Sequence, residues 1–248
     1  MTSAFFESGP FIELPQAQST NNYAIGAVHA GMAQHGMAVF THHQTAGKGQ
    51  RQKQWLSEAG KNIAMSVVLQ PPGLALSQSF LLSAAVAVAI QRFFSFYAGD
   101  ETKIKWPNDV YWRDRKAAGI LIENVLQGAE WKAAVIGTGI NINQTVFETI
   151  DRKAVSLKQI TGKEYDPLAL AKELHRQLLR ICKEVLPNPK ALLQEYSDGL
   201  YKRDQTVRLK QGSRVFEAKV KAVTALGEMV VQHSIEEKFV TGEVEWLI

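Results

Sequence analysis

Hydrophobic residues recur at helical spacing in several long stretches of the chain. Residues 19–21, Ser-Thr-Asn, are typical of a helix N-cap, and the helix-compatible segment after them extends to about His35. The longest apolar stretch favours a buried helix over a membrane span, because Gln78 and several serines interrupt it and Arg92 follows it closely. The later predicted helices lie over 76–97, 167–186 and 189–198.

Segments with strand character separate these helices. The run over 62–69 alternates and stops before Pro71 and Pro72, as a strand ended by prolines would. Predicted strands lie over 37–41, 62–69, 102–106, 109–112, 117–124 and 131–142. Several of them follow one another without an intervening helix, which a doubly wound fold would not show. The pattern therefore predicts an α+β fold with a mixed or antiparallel sheet.

The pattern changes after about Tyr201, where short strands and glycine turns replace the helices. The predicted strands lie over 207–209, 215–223, 229–232, 239–241 and 244–247. Short strands at this density predict a small β barrel. We place a boundary near 199–203, which gives a first domain over 1–200 and a second over 201–248.

Composition narrows the class of protein. With 248 residues, 46% hydrophobic and 21% charged, the chain can bury a full core. A net charge of +4 favours anionic ligands such as nucleotides, but it is far from the basic stripe of a dedicated nucleic-acid-binding protein. The sole cysteine, Cys182, lies among apolar residues at helical spacing, which favours a packed thiol in a reducing compartment. The first ten residues lack the features of a signal peptide, so we expect a cytoplasmic protein.

The segment 105–123 places polar residues beside an apolar strand that ends at Glu123. Around one predicted turn lie Lys105, Asn108, Asp109 and Lys116. This arrangement suits a buried site for a charged ligand. Pro-Asn-Asp and Arg-Asp-Arg are also ordinary turn sequences, so a hairpin with a solvated tip explains the segment equally well when it is taken alone.

The segment from Gln44 to Trp55 is rich in glycine and in cations. Lys48, Arg51 and Lys53 accompany Gly47 and Gly49, and no acidic residue occurs before Glu58. Backbone amides and positive side chains could close over an anion, with the indole of the tryptophan stacked on a flat ring. The spacing is not that of a P-loop, and a mobile solvated loop is the alternative interpretation.

Glycines also follow the apolar strand that leads to Gly137. In Gly137-Thr138-Gly139-Ile140-Asn141 they would let a ligand lie flat against the backbone, with the asparagine within reach of a polar edge. Ile142 stands where a dinucleotide fingerprint needs glycine, and a bulge at a strand end explains the motif as well. The histidines are scattered, so no structural metal site is expected.

Taken together and in this order, these segments resemble the biotin protein ligases, which attach biotin to a lysine of carboxylase carrier domains. The matching residues are Ser19-Thr20-Asn21, Gln44 with the loop 47–55, Lys105-Trp106-Pro107-Asn108-Asp109 with Lys116 and Gly119, and Gly137-Thr138-Gly139-Ile140-Asn141. The most specific unit is Lys-Trp-Pro-Asn-Asp followed by Lys-x-x-Gly-Ile-Leu. The resemblance implies a class II synthetase-like catalytic domain followed by a small SH3-like β barrel.

The resemblance also implies a reaction in two steps. Biotin and ATP, which brings Mg²⁺ with it, would give biotinyl-5′-AMP, and a lysine of a biotin carboxyl carrier protein or acetyl-CoA carboxylase subunit would then take the biotinyl group. Only eighteen residues precede Ser19, too few for the DNA-binding domain of some family members. We therefore expect a monomer or homodimer that acts without specific DNA binding and without a membrane.

Residue roles follow from the same resemblance. The expected biotin site contains Ser19, Thr20, Asn21, Gln44, Gly47, Lys48, Gly49, Lys116, Gly119, Gly137 and Gly139. The expected nucleotide site contains Lys48, Gln50, Arg51, Lys53, Trp55, Asn108, Lys116 and Asn141, with Mg²⁺ near Asn108. Lys116 would stabilise charge on the α-phosphate, and Asp109 would help to deprotonate the carrier lysine.

The loop departs from the arginine-rich pattern of the family. Gln50 stands where arginine is usual, Gln52 replaces a glycine, and Lys48 and Lys53 replace arginines. Lysine lacks the planar fork with which arginine holds phosphate. We therefore expect the adenylate to be retained less tightly than in arginine-rich relatives.

Two other functions remain open from the sequence. A lipoate or octanoate transferase would share the catalytic fold, but its family lacks the Lys-Trp-Pro-Asn-Asp unit as it stands here. A nucleic-acid-binding module would account for the basic loop, Trp55, Trp106 and the small barrel. Glutamates dilute the positive charge of the barrel, and this disfavours the second alternative.

Overall fold

The structure is a computed structural model that describes residues 9–70, 74–147 and 154–247. Its helices are α1 (Thr20–His29), α2 (Ser79–Ala98), α3 (Leu157–Thr161), α4 (Pro167–Val185) and α5 (Pro189–Asp198). Its strands are β1 (Phe11–Ala17), β2 (Ala38–Gln44), β3 (Ile63–Leu69), β4 (Thr102–Lys105), β5 (Asp109–Trp112), β6 (Arg115–Gln127), β7 (Glu130–Ile140), β8 (Thr206–Gln211), β9 (Arg214–Val223), β10 (Met229–Gln232), β11 (Glu236–Phe239) and β12 (Glu245–Trp246).

A seven-stranded sheet with the order β1-β2-β3-β7-β6-β5-β4 organises the first two hundred residues. The pair β1 and β2 is parallel, and the remaining pairs are antiparallel. The α+β fold with a mixed sheet is therefore confirmed. Near the centre of the sheet, Gly119 of β6 lies opposite Gly139 of β7, so the ladder there carries no side chains on either partner.

Helices cover both faces of this sheet. Successive apolar side chains along its strands point to opposite faces, and both faces are therefore buried. Ala38 and Phe40 of β2 face the larger core, where α2 and α4 pack, whereas Val39 faces a smaller core beneath α1. The segment Leu76–Ala98 is long and apolar enough to cross a membrane, but 61% of its apolar window is buried inside the protein. We therefore interpret it as the core helix that the sequence predicts.

Two elements were not predicted, and one ends earlier than expected. β1 contains Pro15, which is tolerated because β1 lies at the edge of the sheet. The short helix α3 begins at Leu157, after the N-cap Ser156, whose side chain accepts a hydrogen bond from Gln159 N. α1 ends at His29 and not near residue 35, since Gly31 at φ +69° takes the left-handed conformation that stops a helix. Pro71 and Pro72 lie outside the described residues.

The C-terminal strands form a five-stranded antiparallel sheet with the order β11-β10-β9-β8-β12. β11 begins at Glu236, a few residues before the predicted strand. β11 and β12 are the two edges, and no ladder joins them within the described part of the chain. The sheet is therefore open as described, and the closed barrel stays a prediction, as does the division into two domains.

A buried tryptophan connects the two sheets. Trp106, in the turn between β4 and β5, is only 2% exposed, and its Nε1 donates a hydrogen bond to the carbonyl of Gly227 at 3.0 Å. Gly227 has φ +86° and lies against the ring of Phe80, so the chain turns tightly at this contact. The Lys-Trp-Pro-Asn-Asp segment therefore holds the C-terminal sheet in place.

We expect Trp106→Phe to lower the free energy of unfolding by about 1–3 kcal/mol, because it leaves the buried Gly227 carbonyl without a donor. Urea denaturation measures this change. The matched control is Trp112→Phe, which also removes an indole hydrogen bond, to Ala98 O at 3.0 Å, but at a half-buried position away from the second sheet. Equal effects in the two variants would contradict a special role for Trp106.

Candidate active site

A cavity of about 1230 Å³ opens between the central strands of the large sheet and the C-terminal sheet. Its walls come from the start of α1, the loop after β2, the turn between β4 and β5, and strands β6 and β7. The C-terminal sheet contributes Lys210, Gly212 and residues 241–246. Segments that are far apart in the sequence therefore meet around one space.

An ion pair lies in the wall of this cavity. Lys116 Nζ is 2.7 Å from Asp109 Oδ1, and the side chains are 14% and 16% exposed. The antiparallel pairing of β5 with β6 brings the two residues together across a short hairpin. Screening by water is weak at this depth, so the pair is a fixed local charge arrangement rather than a surface contact.

Backbone contacts hold Lys116 in place. Its carbonyl accepts hydrogen bonds from Val155 N at 2.9 Å and from Asn141 Nδ2 at 3.3 Å. Asn141 N also donates to the carbonyl of Ala117 at 2.9 Å. These contacts therefore fix the backbone from which the Lys116 side chain extends into the cavity.

Trp55 covers the glycine pair of the central strands. A Cβ at Gly119 would lie 3.0 Å from the indole ring, and one at Gly139 would overlap it. Lys116 Nζ lies 5.6 Å from the ring centroid, within cation–π range. Trp55 Nε1 is buried without a hydrogen-bond partner among the residues that the structure describes. Glycine is therefore required at position 139, and a side chain at position 119 would press tightly against the indole.

A buried hydrogen-bond network surrounds the start of α1. Thr20 N donates to Gln44 Oε1 at 2.9 Å, and Ser66 Oγ lies 2.7 Å from Thr20 Oγ1 and 2.5 Å from Asn21 Oδ1. Asn21 Nδ2 donates to Glu123 Oε2 at 2.7 Å and to the carbonyl of Leu121 at 3.3 Å. Polar groups buried this deeply have little choice of partner, so their orientation is fixed.

The loop after β2 is folded back on itself. Gly49 N donates to the carbonyl of Lys53 at 2.6 Å, and Trp55 N donates to that of Gly47 at 3.0 Å. Lys48 Nζ donates to Asn22 Oδ1 at 2.7 Å, which ties the loop to α1. At its tip, Arg51 has φ 56° and extends its guanidinium group to the backbone of Gly242 in the C-terminal sheet.

Most residues that the sequence singled out meet in this cavity. The lining includes Ser19, Thr20, Asn21, Gln44, Lys48, Gly49, Gln50, Arg51, Lys53, Trp55, Asn108, Asp109, Lys116, Gly119, Gly137 and Gly139. Gly47 and Asn141 do not line it: Gly47 packs beneath the Trp55 carbonyl and Gln44, and Asn141 supports Lys116 from behind. Gly137 faces Asn21 directly, because a Cβ there would overlap the amide. The binding roles of these residues stay predictions.

The sequence interpretation missed Ser66 and the role of Glu123, both of which contact Asn21. A single serine inside the apolar run Ile63–Leu69 was the available signal, since a buried hydroxyl needs a partner. It also missed the C-terminal wall. Lys105 Nζ lies 4.7 Å from the ring centroid of Tyr111 and 5.5 Å from that of Trp246, so the second sheet reaches the rim.

Cys182 plays no part in this site. It is buried in the larger core among α2 and α4, and burial raises the pKa of its thiol to about 12. A thiol with so high a pKa remains protonated at neutral pH and is a poor nucleophile. It is a packed core residue, as its helical surroundings in the sequence indicate.

A known protein family matches the region of the chain that carries the site. The sequence model of the Biotin/lipoate A/B protein ligase family matches residues 13–141 of this chain. This range includes the start of α1, the loop after β2, the ion pair and the glycine-containing strand β7.

Individual relatives match the same region. The Bifunctional ligase/repressor BirA of Escherichia coli is 32% identical over 176 residues, which are 69% of this chain and 53% of the relative. The Biotin--[acetyl-CoA-carboxylase] ligase of Mycobacterium tuberculosis is 32% identical over 166 residues, which are 66% of this chain and 60% of the relative. The chain therefore spans between half and two thirds of the length of these curated relatives.

Solved structures share the fold over nearly the whole chain. The biotin protein ligase from Aquifex aeolicus in complex with biotin and ATP superposes with a TM-score of 0.77 at 24% identity, covering 95% of this chain and 97% of that one. The biotin protein ligase from Leishmania major in complex with biotin gives a TM-score of 0.68 at 22% identity, with 93% and 98% covered. At these identities the likeness shows a common fold.

The contact between Gly137 and Asn21 can be tested by substitution. We expect Gly137→Ala to lower the free energy of unfolding by about 1–3 kcal/mol, because the added methyl group overlaps a buried amide that other hydrogen bonds hold in place. Gly26→Ala is the control: its Cβ meets nothing within 4 Å inside α1, so it should stabilise the protein by up to about 1 kcal/mol. Urea denaturation of both variants measures the difference, and a neutral Gly137→Ala would contradict the packing described.

Proposed function

The chain belongs to the biotin/lipoate A/B protein ligase family, and from this premise we propose that it activates biotin with ATP and transfers the biotinyl group to a lysine of a biotin carboxyl carrier protein. In the first step the biotin carboxylate attacks the α-phosphate of ATP, forming biotinyl-5′-AMP and releasing pyrophosphate. In the second, the carrier amine attacks the acyl carbon, and AMP leaves with the bonding electron pair. The amine proton passes to a base.

The main support is that one cavity combines a buried polar end with a fixed cation. Thr20 and Gln44 lie at the polar end, and Lys116 with Asp109 lies in the wall. A volume near 1230 Å³ exceeds that of a usual single-ligand pocket and suits two substrates side by side. A dithiolane ring such as that of lipoate would leave the polar end without partners, which disfavours lipoate as the substrate.

Each group has a role in this proposal. Ser19, Thr20 and Gln44 would receive the ureido ring of biotin, and Lys116 would stabilise the charge that grows on the α-phosphate. Asp109 holds Lys116 in the described structure. Once a phosphate attracts Lys116, the released carboxylate could accept a proton from the carrier amine.

The loop after β2 would cover the reactive adenylate. Its backbone at Lys48 and Gly49 would face the carboxylate or phosphate, and Arg51 and Lys53 would add positive charge around it. Trp55 would close the space beside the adenine. Keeping the mixed anhydride away from water is what such a cover provides.

Magnesium fits the cavity as an ion delivered with ATP. Mg²⁺ prefers oxygen ligands and is usually held by one or two carboxylates together with phosphates. Asn108 and Asp109 offer such oxygens at the wall, and no cluster of three or more His, Cys, Asp or Glu occurs among the described residues. When bound, the ion would offset the negative charge of the phosphates.

The remaining features of the proposal concern the whole protein. We propose that the C-terminal sheet closes as an SH3-like barrel and that the enzyme acts in the cytoplasm as a monomer or homodimer. Its acceptor would be a carrier domain of the acetyl-CoA carboxylase type, as the name of the relative from Mycobacterium tuberculosis suggests.

The test of the proposed function is direct. Incubation of the protein with biotin, Mg-ATP and a purified carrier domain should add the mass of one biotinyl group to a single carrier lysine, measured by mass spectrometry. Lys116→Ala should slow biotin-dependent pyrophosphate release by about 10²-fold or more, since a fixed cation at the reacting phosphate is lost. Lys103→Ala on β4, outside the cavity, is the control and should remain active. Normal pyrophosphate release by Lys116→Ala would exclude the assigned role.

The glutamine at position 50 generates a second prediction. Gln50 lines the cavity at the loop where arginine is usual in the family. We expect Gln50→Arg to slow dissociation of biotinyl-5′-AMP roughly tenfold, because a bidentate charge-assisted contact replaces a neutral one. Stopped-flow release of the adenylate into excess unlabelled ligand measures the rate. An equal or faster rate in the variant would show that Gln50 does not limit retention.

A further inference from the structure

We infer that Glu123 and Ser66 are positioning residues that act through Asn21 and Thr20 and not by contact with the substrate. They hold the Thr20 hydroxyl as a hydrogen-bond acceptor for a ureido N–H group. The inference rests on the proposed function and extends it to residues beneath the cavity. The buried network around α1 contains few protons, and their number fixes which group donates and which accepts.

The amide of Asn21 is buried, with only 4% of the residue exposed, and its two ends can be told apart by their neighbours. One end of the amide lies 2.7 Å from Glu123 Oε2 and 3.3 Å from the carbonyl of Leu121, both of which are acceptors. That end must therefore be the NH₂ group, since an oxygen there would face two other oxygens. Asn21 Oδ1 consequently points toward Ser66.

Ser66 is fully buried. Its hydroxyl carries one proton but lies 2.5 Å from Asn21 Oδ1 and 2.7 Å from Thr20 Oγ1. The amide oxygen can only accept, so Ser66 must give its proton to Asn21. The short contact between the two hydroxyl oxygens then requires a proton from Thr20.

These contacts determine the chemical character of Thr20. Its proton is committed to Ser66, so its hydroxyl can offer only lone pairs to a ligand. Thr20 Oγ1 is also 3.3 Å from Gln44 Oε1, but its only proton is already given to Ser66, so none remains for this second oxygen. Thr20 therefore selects an N–H group and disfavours a carbonyl at the same place.

The neighbouring groups have the opposite character. Gln44 Oε1 accepts from Thr20 N, and the NH₂ group of the same amide can donate to a ligand. Ser19 Oγ accepts from Asn22 N, so its proton is available to a ligand. The end of the cavity thus combines an acceptor with donors, and a cyclic urea, with a carbonyl between two N–H groups, is its complement.

The experiment measures biotin binding by calorimetry without ATP, using the full chain. Ser66→Ala releases the Thr20 proton, so the hydroxyl is no longer held as an acceptor and must be oriented on binding; we expect biotin binding to weaken up to about tenfold. The isosteric Glu123→Gln lets Asn21 turn over and should weaken binding roughly threefold. The control Glu13→Gln removes an exposed carboxylate that contacts His42 and should bind biotin like the unsubstituted protein.

A second measurement separates positioning from a merely structural effect. Biotin methylated at each ureido nitrogen in turn should bind the unsubstituted protein less tightly than biotin. In Ser66→Ala and Glu123→Gln the loss of affinity caused by methylation should be smaller at the nitrogen that faces Thr20. At the other nitrogen the loss should equal that of the unsubstituted protein. The KM for ATP, and kcat at saturating biotin, should not change in either variant.

The outcomes distinguish this inference from the proposed function. If the unsubstituted protein does not bind biotin, the proposed function fails and the inference fails with it. If it binds biotin but both variants bind as tightly, or if the methylation penalties shrink at neither nitrogen, only the inference fails. Should Ser66→Ala not fold, Glu123→Gln alone decides, because the exchange of carboxylate for amide conserves shape.

Discussion

The absence of side chains at the centre of the large sheet is the constraint on which the site depends. Gly119 and Gly139 face each other across β6 and β7, and Gly137 lies two residues before the second of them. A Cβ at any of these positions would meet Trp55 or Asn21. The space that the missing side chains leave is filled by groups from α1 and from the loop after β2. Loop, helix and sheet can therefore approach closely enough to enclose one cavity.

The sequence predicted which segments line the cavity better than it predicted the contacts among them. The order of Lys105–Asp109, Lys116 and Gly137–Asn141 indicated a site because these residues stand at strand ends and turns, where local sequence decides structure. β1 escaped prediction because an edge strand that contains Pro15 lacks the usual alternation, and α3 is shorter than the window in which helical spacing can be recognised.

The contacts that sequence reasoning could not supply are those between distant segments. Ser66 reads as one polar residue in an apolar strand, and nothing local indicates that it meets Asn21. The approach of Arg51 to Gly242 depends on how the C-terminal sheet packs against the first. Asn141 was predicted at the nucleotide, whereas the structure places it behind Lys116. Tertiary packing decides each of these positions, and the pattern of hydrophobic residues contains little information about which distant segments meet.

The wall contributed by residues 241–246 has a consequence for the order of events during synthesis. Asp109, Lys116, Gly119 and Gly139 precede this wall in the sequence by about a hundred residues or more, so they are synthesised well before it. Arg51 lacks its contact with the backbone of Gly242, and Lys105 lacks its contact with Trp246, until the second sheet has been translated and has folded. In a nascent chain the cavity therefore lacks this wall until residues 241–246 have been synthesised and packed against the first sheet.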